Sequence, residues 1–124
     1  MINKAIGLDY CDKHPLIYKK ILNMFVTLRE KKQNSMAAAM AQEDWGTYVT
    51  LVHGLKSNVR HIGGSVLDEK ALALELAGKK YLEETTSPEE KQQQLDFIRA
   101  NHQEAMELYN QLAEEASQLA QSLD

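Results

Sequence analysis

The sequence predicts an all-α fold: an antiparallel up-down four-helix bundle with an extra N-terminal helical segment. Three observations predict it. Only two Pro and six Gly occur in 124 residues, against abundant Ala, Leu, Glu, Gln and Lys, a composition of helices rather than sheets. Apolar or near-apolar residues recur at Leu95, Ile98, His102, Ala105, Tyr109, Leu112, Ala116, Leu119 and Leu123. Their spacing alternates three and four without a slip, as in the seam of a bundle or coiled coil. The breaks between such stretches are short, so successive helices must run antiparallel. The length suits one domain, 1–124, with a single core. No repeat or low-complexity linker divides it.

Each element follows from local signals. Residues 3–9 suit a short lead-in helix. The next helix begins near Pro15, tolerated in a first turn, and carries Leu16, Ile17, Ile21, Leu22, Phe25 and Leu28. Its continuation to residue 42 is helical by composition, as one helix or as two with a bend near 27–34. Asp44 caps a helix over 45–62, and Gly63-Gly64 ends it. Ser65 is expected to cap a helix over 66–83, with Asp68 completing a capping box. Ser87-Pro88-Glu89-Glu90 opens the last helix, 88–123, with a cap, Pro at the first position and Glu at the third.

The helix over 45–62 has two unlike faces. At roughly 100° per residue, Tyr48, Leu51, Leu55, Val59 and Ile62 gather on one side. His53 points the other way, to water, flanked by Val49, Lys56, Ser57 and Arg60. Burying an apolar stripe needs no such group. An exposed imidazole beside two cations suits the handling of an anion.

These residues also carry a resemblance. His53-x-Leu55-Lys56-Ser57, with Gly63 ten residues after the histidine, resembles the signature of histidine phosphotransfer (HPt) domains. Glu43-Asp44-Trp45 resembles the acidic-Trp turn that opens the same helix in that family. Gly7-Leu8-Asp9-Tyr10-Cys11, Tyr18 and Met24-Phe25-Val26 extend the likeness over most of residues 1–85, while 88–123 matches only in length and pattern. Ser57 stands where many members have Gly, and Gly64 where Ala is frequent. Both are small.

The resemblance implies that His53 accepts a phosphoryl group. Such a histidine needs a neutral attacking nitrogen, which its ordinary pKa near 6.5 allows. It needs clearance from its helix, which Ser57 leaves. It needs a cation for the phosphoryl oxygens, for which Lys56 stands one turn on. An acceptor should hold the other ring N–H. In the family a Gln or Glu 22 residues after the histidine often does so, and that offset lands on Glu75. The plain alternative for Glu75 is a solvated pair with Lys79 at i+4. Arg60 is expected on phosphate or on a partner's acidic rim, Val49 in the apolar docking rim, and Gly63 in the turn.

The other candidates have plainer readings. His61 lies roughly 80° around the helix from His53. His102 sits on the seam and reads as a packed core histidine. His14 lies at a helix start, and with Cys11 supplies only two ligands, too few for a metal site. Trp45 and the methionines read as core and rim packing.

Composition excludes several classes. The formal net charge of −4 and the lack of long like-charge runs argue against nucleic acid. No apolar run approaches the ~18 residues of a membrane span. The first residues lack the apolar core of a signal peptide, and a single Cys fits a reducing compartment, so the cytoplasm is expected. There is no glycine-rich nucleotide loop and no acidic cluster for Mg²⁺. The chain is therefore expected to carry no cofactor and to be a phosphotransfer intermediate without ATP-driven activity. The resemblance implies receiver domains of response regulators and hybrid histidine kinases as partners of a monomer, with Mg²⁺ in the receiver. The rival readings are the phosphoacceptor domain of a chemotaxis-type kinase and a non-catalytic helical adaptor.

Overall fold

One uninterrupted helix runs from Pro15 to Ala41, not two. Arg29 and Gln33, inside the suspected bend, hydrogen-bond Asn110 of the last helix at 2.8 and 3.0 Å. The computed structural model describes residues 1–123. Its helices are α1 (Lys4–Tyr10), α2 (Pro15–Ala41), α3 (Trp45–Ile62), α4 (Ser65–Leu82) and α5 (Pro88–Gln121). α5 thus ends two residues short of the expected 123.

The local signals explain most helix ends. Asp44 accepts from Thr47 N at 3.2 Å and from Thr47 Oγ1 at 2.7 Å. Ser87 Oγ accepts from Glu90 N at 3.2 Å. Gly63 adopts φ 87°, a left-handed conformation that glycine reaches without strain. One expectation is corrected. Gly64, at φ −93° and ψ 79°, is the residue before α4, and Ser65 is already helical with no side-chain cap. The sharp Gly63 turn moves the boundary one residue earlier. Asp68 bonds Arg60 instead of closing a capping box.

α2 packs on α3, α3 on α4, α4 on α5 and α5 on α2, while among the described residues the backbones of the diagonal pairs stay apart. This is an antiparallel four-helix bundle. α1 lies on α2 and α3. Asn3 N donates to Gly63 O at 2.8 Å and Ile2 pairs with Gly64, so the N-terminal segment closes the end of the bundle that holds the α3–α4 turn.

The core fills the centre of the four helices. Tyr18, Tyr48, Leu55, Leu74, Ile98 and Tyr109 are fully buried, and each such side chain contributes roughly 1.5–3 kcal/mol by leaving water. The buried hydroxyls have partners. Tyr18 donates to Ile62 O at 2.9 Å, and Tyr48 shares a 2.8 Å hydrogen bond with His102 Nδ1. His102 is therefore the packed seam residue expected, and burial lowers its pKa. Trp45 is core. Among the described residues no helix is long and apolar enough to cross a membrane.

Only part of the apolar content of α2 enters the core. Leu22 and Phe25 are buried, but Leu16, Ile17, Met24 and Leu28 are exposed. Ile17, Ile21, Met24 and Leu28 follow a four-three-four spacing, which places them in one stripe down the helix. That stripe lies beside the buried one, on the surface.

Candidate functional site

His53 lies at mid-length of α3, and its side chain is 58% exposed. Its freedom to project comes from the helix face. α3 buries Trp45, Tyr48, Val49, Val52, Leu55, Val59 and Ile62, an arc wider than the stripe read from sequence. Val52 belongs to it, and Leu51 is only half-buried. His53 falls at the edge of that arc, where α4 comes alongside.

α4 supplies the partner. Glu75 is 1% exposed, and its Oε2 stands 2.6 Å from His53 Nδ1. Its Oε1 accepts from Lys56 Nζ at 2.6 Å. Lys79, one turn along α4, reaches Oε2 at 3.2 Å. Both readings of Glu75 therefore coexist, since it meets His53 and Lys79 together. The solvated setting is corrected: the carboxylate is buried under three donors. Burial alone would raise its pKa, but hydrogen bonds from Lys56, His53 and Lys79, with the charge of Lys56, outweigh it and hold the group at about 2.

That ionisation decides the tautomer. A carboxylate only accepts hydrogen bonds. Nδ1 must then carry the proton and donate it, and Nε2 of the neutral ring keeps a lone pair. The ring is thus oriented with its nucleophilic nitrogen away from Glu75.

Two other flanking residues differ from expectation. Lys56 is not an exposed cation: its side chain is only 14% exposed and its ammonium sits on Glu75. Val49 is not an exposed rim residue. It is buried, and it fills the space beside Gly78 of α4, where a β-carbon would overlap its Cγ2. Both differ for the same reason, that α4 covers this flank of α3. Ser57 is half-buried and small, one turn from His53. Arg60 grips Asp68 through Nε at 3.1 Å and Nη2 at 3.2 Å. Gly63 makes the turn that sets α4 beside α3. His61 is exposed and lies against the Tyr10 ring, with centroids 5.2 Å apart.

Sequence reading did not single out Gly78, nor the α2 stripe beside the site. A groove of about 200 Å³ runs between α2 and α3, lined by Ile21, Met24, Leu28, Lys32, Asn58 and His61. On α3 it is lined by Asn58 and His61, five and eight residues after His53. The four-three-four spacing on α2 was the available signal.

No family model matches the chain, and no curated protein matches it in sequence. A solved structure does match in shape. The HPt domain from a sensor hybrid histidine kinase of Shewanella superposes with a TM-score of 0.79 over 99% of this chain and 96% of that one, at 15% identity. This chain has the fold of a histidine phosphotransfer domain. The HPt likeness reaches past residue 85, where the motifs end, and takes in α5. The shared fold explains how an α3 histidine and an α4 carboxylate come to face each other. At this identity it assigns no residue a role.

Proposed function

We propose that this chain is a phosphotransfer domain of two-component signalling. In this reading it accepts a phosphoryl group on His53 from a receiver aspartyl phosphate and passes it to another receiver aspartate. The 2.6 Å contact of His53 Nδ1 with the buried Glu75 carboxylate carries the reading, because it leaves a lone pair on an exposed Nε2.

In the forward step the Nε2 lone pair attacks phosphorus. The bond from phosphorus to the partner's carboxyl oxygen breaks, and its electron pair leaves with the aspartate. The ring becomes a cation that keeps its Nδ1 proton, and Glu75 stabilises that charge. The return step reverses these bonds. Lys56 holds Glu75 ionised and in place. Mg²⁺ belongs to the receiver. The stripe Ile17, Ile21, Met24 and Leu28, exposed except for the half-buried Ile21, is a docking surface for a partner's apolar face. Arg60 and Asp68 form a polar border to the same face of the domain. The domain works in the cytoplasm as a monomer.

The test is incubation with a panel of phosphorylated receiver domains and, separately, with ATP-charged kinase domains, following the label. Acid-labile, base-stable label from a receiver is expected in the wild type and in His61→Gln, and none in His53→Gln. Label from kinase domains alone would turn the reading to a chemotaxis-type phosphoacceptor domain. No label from any donor would leave a helical adaptor.

A further inference from the structure

Two lysines converge on one carboxylate that also meets the His53 ring, so whenever that ring is neutral the cluster holds one cation more than Glu75 needs. The two are not equivalent. Lys56 is 14% exposed and bonds Oε1 at 2.6 Å. Lys79 is 56% exposed and bonds Oε2 at 3.2 Å. Withdrawing Lys56 strips the buried carboxylate of its closest charge, which is costly. Withdrawing Lys79 breaks a longer, solvent-facing pair, which costs little. Lys79 also shares Oε2 with His53 Nδ1, so its ammonium stands beside the ring that takes the phosphoryl group.

We propose that Lys79, rather than Lys56, is the cation that binds the phosphoryl group on His53. The inference rests on the phosphoacceptor reading of His53 and names a catalytic residue for it. The charge changes of the step drive the switch. Before transfer, Lys79 helps to balance Glu75. When Nε2 bonds to phosphorus, the ring gains a positive charge, and its Nδ1–H then satisfies Oε2 as an ion pair. Lys79 is released as two negative charges arrive on the phosphoryl oxygens. Its flexible stem carries a compact point charge suited to them. No proton moves and no further reactant is needed.

Phosphoramidate, a small phosphoryl donor to histidine, tests this without a partner. Wild type, Lys79→Gln, Lys79→Arg and Lys56→Gln would be loaded and followed by ³¹P NMR across pH, with circular dichroism as a check of folding. Lys79→Gln should load more slowly, by roughly tenfold, the rate equivalent of one charge-assisted hydrogen bond. It should also raise the pKa of the phosphoryl group, because a cation beside a dianion favours ionisation. Lys79→Arg should retain most of both properties. Lys56→Gln should move the phosphoryl pKa less than Lys79→Gln does, while lowering unfolding stability. A phosphoryl pKa that moves more in Lys56→Gln than in Lys79→Gln overturns the inference and leaves His53 as acceptor. A wild-type protein that loads no phosphoryl group on His53, from phosphoramidate or from receivers, overturns the underlying reading and this inference with it.

Discussion

Val49 Cγ2 occupies the space in which any side chain at Gly78 would begin. This contact sets how closely α3 and α4 approach. It lies one turn from His53 on α3 and one turn from Glu75 on α4, so the glycine is part of what lets a short carboxylate reach the imidazole. Gly78→Ala gains about 1 kcal/mol of helix propensity. It should lose more than that by overpacking a stiff β-branched neighbour, for which the cost is about 1–3 kcal/mol. Net destabilisation and a longer, weaker His53–Glu75 bond are expected. Denaturant unfolding with Val49→Ala as second mutation checks this: the pair should couple, and additive effects would refute the packing argument.

Glu75 should make the protein acid-sensitive. Its pKa falls from 4.5 to about 2 on folding. Between those values the unfolded chain binds more protons, so stability rises with pH there. The contribution is present in full above 4.5 and lost as pH falls towards 2. It amounts to roughly 3 kcal/mol by linkage. Glu75→Gln should be less stable at neutral pH and lack that acid limb. In ¹⁵N NMR its His53 should also no longer hold the proton on Nδ1 alone. A variant whose ring stays wholly in that tautomer shows that Glu75 does not orient it.

His102 should add a second limb at higher pH. Burial lowers its pKa from 6.5. The fold therefore favours the neutral ring, and this contribution is complete above 6.5. It declines as pH drops below 6.5 and levels off once the folded ring is also protonated. Unfolding curves from pH 7 downward should show it in wild type and not in His102→Gln. Tyr48→Phe should cost about 1–3 kcal/mol, because His102 Nδ1 would lose its buried partner. Equal stability of Tyr48→Phe and wild type would mean that the hydrogen bond contributes nothing.

Variants in the α2 stripe should separate the proposed docking from the chemistry. Met24→Glu changes an exposed position, so stability should shift by no more than about 0.5 kcal/mol. Transfer from a receiver should nevertheless slow, while loading from phosphoramidate should match wild type. Unchanged transfer from receivers would remove α2 from the docking surface.

The legible parts of this molecule share a physical character. Asp44, Gly63 and Ser87-Pro88 act on backbone groups within a turn of themselves, and the structure finds each where the sequence placed it. Ser65 was misplaced because Gly63-Gly64-Ser65 offers two neighbouring boundaries, and only the turn geometry chooses between them. The buried part of the α2 face is not legible in the sequence, because its apolar arc is broad. Periodicity shows that apolar residues share a side, not how much of that side another helix covers.

The sequence by itself determined the helices, their antiparallel order, and the place of His53 off the apolar stripe of its own helix. These follow from hydrogen bonds and side-chain periodicity within single segments. Only the tertiary structure decided what surrounds the histidine. The approach of α4 buries Val49 and Glu75, draws Lys56 down onto the carboxylate and leaves Lys79 at the rim. Burial and ion pairing depend on the distance between two helices. That distance is set where Gly78 meets Val49, by residues that are far apart in the chain.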